Sequence, residues 1–172
     1  RPAAMVYSRT ESIQSTPKRH PAVIHSRMAA TPDGDLLAMD FAADFNTGAY
    51  ASWGPTVANR VPIHAAGPYR YDAVRALTRA VITNDPVAGA FRGFGVPQST
   101  LLCESLIDDL AARIGADPLE LRHANSLRAG DRTATGQTLQ ASVGLQACLE
   151  ALRPAWRASL ERSEEHTSEL QS

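Results

Sequence analysis

With 172 residues, 17 Lys and Arg against 18 Asp and Glu, and a net charge of −1, the chain is sized for one domain or a piece of a larger one. It has no basic excess for nucleic acid or an anionic membrane. A 44% hydrophobic content supports a packed core and excludes wholesale disorder, and no apolar run nears the ~20 residues of a membrane span.

Ser15–Pro21 is turn-rich and locally basic. Ala22–Ala29 reads as a strand, and Thr31-Pro32-Asp33-Gly34-Asp35 as the turn after it. Leu37, Met39, Phe41, Ala43 and Phe45 then alternate with Asp40 and Asp44, which predicts a long antiparallel strand with one wet face. Together these make a hairpin over about 22–45. Asn46–Pro68 is rich in Gly, Pro and Ala without a clear period and carries Trp53, Asn59, Arg60 and His64. A stretch of this kind is a functional segment or a short irregular helix. A third strand is expected over about 74–84, ended by Asn84-Asp85-Pro86.

Leu102, Leu106, Leu110 and Ile114 mark a helix over about 98–114 that stops at Gly115. Asp117 as N-cap, Pro118 at the first helical position and Glu120 completing a capping box start a second, over about 118–128. A third is expected over about 142–161, with Cys148, Leu149, Leu152, Trp156 and Leu160 on its apolar side and a kink at Pro154. Antiparallel strands first and helices last make the fold α+β. Cys103 and Cys148 are too few for a disulfide scaffold or metal cage, and point to free thiols in a reducing, cytoplasmic setting.

The chain begins at Arg1, and its last eleven residues, Arg162–Ser172, resemble the in-frame translation of a sequencing-library adapter. The expected organisation is therefore a domain over 1–161 and a disordered tail over 162–172 that is foreign to it. Without the tail's one Arg and three Glu the net charge becomes +1.

Gly89–Gln98 carries the chemistry. Three glycines bracket Arg92 and two aromatics just before a helix, so backbone can approach a ligand closely and helix N–H groups can face an anion. This predicts a cradle for something planar or anionic, with Arg92 as cation and Phe94 as stacking face. The plainer alternative is a glycine turn that packs two aromatics into the core. A third is a binding module that takes RNA through Arg92-Gly93-Phe94-Gly95. Against it, the second aromatic of the RNA-recognition octamer is missing and Pro97 would interrupt the strand it needs.

The segment resembles the molybdenum-cofactor loop of the large, molybdopterin-binding subunit in the xanthine dehydrogenase/aldehyde oxidase family. Lys18-Arg19-His20-Pro21, Gly48-Ala49-Tyr50, Asn59-Arg60, Gly67-Pro68-Tyr69, Thr83-Asn84, Asp117–Arg122 and Thr135-Gly136-Gln137 follow that family's order. Two departures stand out. Val96 replaces the Gly usual in xanthine-oxidising members, and Asn59 stands where purine-oxidising members carry an acidic residue.

The resemblance implies an internal piece, over 1–161, of a subunit that hydroxylates aldehydes, purines or N-heteroaromatics. It implies cofactor contacts at Ala90, Phe91, Arg92 and Gly93, and substrate contacts at Phe94 and Arg60. It places the general-base glutamate outside this chain, with Glu104, Glu120 and Glu150 as helix-surface residues, and gives the chain no metal ligand. It puts 2Fe–2S and FAD centres on partner subunits or on missing segments, in an oligomeric enzyme that takes a small-molecule substrate and neither nucleic acid nor a membrane span. A piece of this kind is expected to be inactive alone.

Overall fold

The computed structural model describes residues 2–171, with side chains described through residue 163. Its elements are α1 (Arg9–Ser15), β1 (Ala22–Ala30), β2 (Leu36–Gly48), α2 (Gly54–His64), β3 (Ala73–Ile82), α3 (Val96–Ile114), α4 (Pro118–Asn125) and α5 (Leu145–Gln171). The α+β reading holds, and β1 and β2 form the expected hairpin in a sheet of order β1-β2-β3. In its turn, Gly34 donates to the Thr31 carbonyl at 3.0 Å and Thr31 to that of Asp35 at 2.9 Å.

The third strand corrects the sequence reading. Arg75 grips Asp40 and Arg79 grips Asp44 in bidentate pairs, and the Asp72 and Thr83 amides reach the carbonyls of Leu37 and Gly48. The offset is 35 residues throughout, so β3 runs parallel to β2 and the sheet is mixed. Parallel neighbours need a crossover, usually a helix, and α2 supplies it from within the stretch that showed no clear period. Both prolines of α2 sit where the pattern hides them, Pro55 in its first turn and Pro62 in its last.

Three further expectations change. Leu36 is buried in place of Leu37, which is 38% exposed, although Met39, Phe41, Ala43 and Phe45 all point inward as predicted. Cys148 is exposed rather than on the apolar side of α5. The helix itself starts at Leu145 and passes through Pro154 to Gln171. No Pro or Gly lies between 155 and 171 to stop it. A capping box does exist, but it is at Ser8 and Glu11, at the head of α1.

The chain divides into two compact units, one of residues 1–26, 40–65 and 75–102, the other of 27–39, 66–74 and 103–172. In the first, Phe41 and Phe45 on β2 and Val57, Ala58 and Val61 on α2 are buried. Thr78 Oγ1 of β3 donates to the Ala58 carbonyl at 2.7 Å, which ties α2 to the inner face of the sheet. Gly95 lies against α2, where a Cβ would fall 2.7 Å from Val61 Cγ2 and 3.1 Å from the Val57 carbonyl oxygen.

In the second unit the buried Asn125 organises the turn. Its Oδ1 accepts from the Leu36 amide at 3.0 Å, while its Nδ2 donates to the carbonyls of Gly34 and Leu121, both at 2.9 Å. Glu104 proves to be no free surface residue. It accepts from Tyr69 Oη at 2.9 and 3.0 Å and from Arg122 Nε at 2.8 Å. Burial pushes the neighbouring Cys103 thiol up to about 12, which keeps it protonated and inert. Asp117 caps α4 from the amides of Leu119 and Glu120 and accepts from Trp156 Nε1 of α5 at 2.8 Å. Glu120 pairs with Arg153 of α5 instead of closing a capping box.

Partial burial raises the Asp117 carboxyl, but the bonds from Trp156, Glu120 and Leu119 outweigh it, so its net pKa lies below 3.8. Arg153 likewise lowers Glu120 from 4.5. A depressed carboxylate stabilises the fold above its unfolded pKa and loses that contribution as pH falls through the folded value. The α4–α5 packing should therefore weaken below about pH 4.5, read by Trp156 fluorescence. Asp117→Ala should lose about 1–2 kcal/mol at pH 7 in denaturant unfolding, and Asp117→Asn much less, because Asn also caps. Separately, Gly95→Ala should cost about 2–4 kcal/mol from positive φ plus overpacking. At Gly115, also at positive φ but with nothing within 4 Å of a Cβ, Ala should cost about 1 kcal/mol. Equal denaturant midpoints for the two glycine variants would remove the clash with α2 from the account.

Candidate functional site

The strip from Gly89 to Gln98 leaves the sheet and turns into α3. Its turn uses backbone that side chains rarely adopt, with Gly93 at φ 88°, Phe94 at 50° and Gly95 at 94°. Two short bonds close it, from the Phe94 amide to the Phe91 carbonyl at 2.8 Å and from Val96 to Gly93 at 3.0 Å. The glycines are sterically required. A Cβ on Gly93 would fall 2.7 Å from the Pro97 ring, and one on Gly89 would fall 2.7 Å from Pro17.

Ala90, Phe91, Arg92 and Gly93 are all exposed, Phe91 by 47%. Among the described residues, none of their four amides donates a hydrogen bond. An exposed run of unspent N–H groups just ahead of a 19-residue helix is suited to an anionic or strongly accepting ligand. Arg92 holds its side chain exposed beside them.

Phe94 is half-buried, with its ring edge-to-face with Trp53 at 6.0 Å and 71°. Trp53, placed just before α2 and 54% exposed, is thus a wall for Phe94 and not part of the core. This arrangement also argues against the RNA reading, because Arg92–Gly95 is a turn, with left-handed backbone at Gly93–Gly95, and not a strand that could present an aromatic to bases.

Arg60 is exposed on α2, off the face formed by Val57, Ala58 and Val61, and among the described residues it has no hydrogen-bonding partner. The strip and Phe94 are thus contiguous, whereas among the described residues no hydrogen bond or ion pair joins Arg60 to them.

The segment ahead of β1 also belongs to the site. Gly89 donates to the Lys18 carbonyl at 2.9 Å, and Gln98 Nε2 to the His20 carbonyl at 3.0 Å. Arg19 Nη2 donates to the Arg92 carbonyl at 2.7 Å, with its guanidinium 4.8 Å from the centre of the Phe91 ring. His20 is 3% exposed, its Nε2 has no partner, and burial pushes its pKa down, so it is held neutral. Gln98 Oε1 and Arg19 Nη1 are also buried without partners. These roles were hidden in the sequence, where the only signal was a run of Lys, Arg, His and Pro.

Among the described residues, no group of three His, Cys, Asp or Glu side chains could hold a metal ion, and no helix is long and apolar enough to cross a membrane. What the site offers a ligand is backbone amides, an aromatic face and arginines.

Residues 1–126 match the family model of the molybdopterin cofactor-binding domain. The chain is 45% identical over 153 residues to the nicotinate dehydrogenase large molybdopterin subunit of Eubacterium barkeri, covering 89% of this chain and 36% of that one. The solved aldehyde oxidoreductase of Desulfovibrio gigas superposes with a TM-score of 0.87 at 37% identity, covering 92% of this chain and 17% of that one. Quinoline 2-oxidoreductase of Pseudomonas putida 86 does so with a TM-score of 0.77 at 26% identity, over 89% and 20%. The chain thus spans between about a sixth and somewhat over a third of these relatives. By the domain match and by the shared fold, it belongs to the molybdopterin cofactor-binding domain family.

Proposed function

We propose that this chain is one segment of the large subunit of a molybdenum hydroxylase, and that Ala90–Gly93 forms part of the cradle for its molybdopterin cofactor. The observation that carries the reading is the strip of four exposed residues with unspent amides, in a chain of this family. The residues fit such a group. Gly89 and Gly93 let the strip pack tightly against Pro17 and Pro97 while its backbone stays exposed, and the amides complement the acceptor atoms of a pterin or of ligands around a metal.

When bound, the cofactor supplies the two-electron oxidation that places a water-derived oxygen on an electron-poor carbon. The chain's own residues bind and orient. Ala90, Phe91, Arg92 and Gly93 hold the cofactor through backbone. Phe94, fixed by Trp53 and by its own left-handed backbone, offers a flat face to an aromatic substrate. Arg60 extends from α2 to orient a polar or anionic substituent on it. The family resemblance puts the proton-abstracting glutamate elsewhere in the subunit; Glu104, Glu120 and Glu150 here bind Tyr69 and Arg122, Arg153 and His123.

Substrates of this enzyme are aldehydes, purines or N-heteroaromatics. The likeness to a nicotinate dehydrogenase subunit supports testing nicotinate first. Electrons leave through 2Fe–2S and flavin centres on partner subunits or on other segments, in an oligomeric, cytoplasmic enzyme. In this reading the last eleven residues, 162–172, are foreign to the natural subunit.

The complete subunit should purify with stoichiometric molybdenum, and the isolated chain with none. A complete subunit without molybdenum, from molybdenum-replete cells, would overturn the assignment. In the complete enzyme, Phe94→Ala should raise KM for an aromatic substrate about 5- to 100-fold, the weight of one aromatic stacking contact. Unchanged KM and kcat would take Phe94 out of the substrate pocket.

A further inference from the structure

Residues Pro17–Pro21 run beside the cofactor strip and hold it at both ends. At one end Lys18 pairs with Ala88, Gly89 donates to Lys18, and Pro17 occupies the space a side chain on Gly89 would need. At the other, Gln98 reaches the His20 carbonyl. The middle of the strip is held differently, by one side chain. Arg19 donates from Nη2 to the Arg92 carbonyl at 2.7 Å and lays its guanidinium over the Phe91 ring at 4.8 Å.

Lys18 is not available for that task, because its Nζ is spent on the carbonyls of Ser12 and Thr16 and on Thr16 Oγ1. Arg19 has no ion-pair partner among the described residues, and its Nη1 is buried without an acceptor. Among the described residues, this half-buried cation directs its hydrogen bond and its ring contact at the strip. The geometry of the peptide bond supplies the consequence. In a trans peptide the carbonyl and the following N–H point in opposite directions. By drawing the Arg92 carbonyl to itself, Arg19 turns the Gly93 N–H, which has no acceptor in the fold, away from itself and outward.

We propose that Arg19 is a positioning residue for the cofactor strip, which it serves by setting the Arg92–Gly93 peptide plane so that the Gly93 amide faces the cofactor. This rests on the reading of Ala90–Gly93 as part of the molybdopterin cradle. Freed of Arg19, the peptide can rotate, since glycine tolerates most backbone conformations, and the amide is no longer aimed.

The test uses the complete holoenzyme with Arg19→Met, which keeps the stem but loses donors and charge, and Arg19→Lys, which keeps the charge and one donor. Molybdenum per subunit, the rate of cofactor loss on dilution, the Mo(V) EPR spectrum and the melting temperature are measured together. Arg19→Met should lose cofactor roughly 10- to 100-fold faster, the range for a charge-assisted hydrogen bond. The fraction that retains cofactor should show shifted g-values, and Arg19→Lys should fall between this and wild type.

Wild-type retention and spectrum in Arg19→Met overturn the positioning role and leave the cofactor reading standing. Faster loss with a lowered melting temperature but a wild-type spectrum also overturns it, in favour of a purely stabilising role. Should Arg19→Met not fold, Arg19→Lys carries the test, and a wild-type loss rate and spectrum there overturn the proposal. A complete wild-type enzyme that holds no molybdenum overturns the cofactor reading and this one with it.

Discussion

The site depends on a run of left-handed backbone. Gly93, Phe94 and Gly95 all hold positive φ, and this sharp turn lets the chain change from an exposed strip into α3 within a few residues. Two of the three positions are glycine, which adopts that conformation without steric penalty. The third is a bulky aromatic, for which it costs about 1–2 kcal/mol. What keeps Phe94 there is visible around it: its amide is bound to the Phe91 carbonyl, its ring abuts Trp53, and Gly95 behind it is seated against Val57 and Val61. Straightening the turn would lift Gly95 off α2 and swing the Phe94 ring off Trp53.

Strain held at one residue by the packing of its neighbours is a common property of ligand sites. Here it has a direct effect on recognition. A ring whose backbone and edge are both fixed loses little freedom when a flat molecule stacks on it, so more of the stacking energy appears as affinity. The exposed amides work on the same principle. Their direction is set in the folded chain before a ligand arrives.

How much of this was legible in the sequence depended on whether the signal was local. Periodicity showed Met39, Phe41, Ala43 and Phe45 as the inner face of β2, and Asp117-Pro118 marked the start of α4, because both are properties of neighbouring residues. The direction of β3 was not legible. Val81 and Ile82 identify a strand whichever way it pairs, and the crossover helix that decides the matter shows no clear period and carries Pro62 in its interior. The cradle glycines were evident as a motif, yet the residues that support them were not. Arg19 lies 73 positions from the carbonyl it binds, Trp53 lies 41 from Phe94, and nothing in the order of residues announces either meeting. Glu104 looked like a surface glutamate because its partners Tyr69 and Arg122 come from distant segments.

The two bidentate pairs on the outer face of the sheet, Arg75 with Asp40 and Arg79 with Asp44, add little stability where water screens them. They matter for alignment. A slip of β3 by one residue would reverse its faces, which core burial already forbids. A slip by two preserves the faces and is the error a half-exposed strand is prone to. With these four residues, such a slip would set both arginines opposite Ala42 and Asn46 in one direction, or Ala38 and Ala42 in the other, and neither would meet a carboxylate. Even a slip by four recovers only one pair. The charges therefore work as a vernier, selecting a single registration of β3 on β2 where hydrophobic patterning alone would accept several.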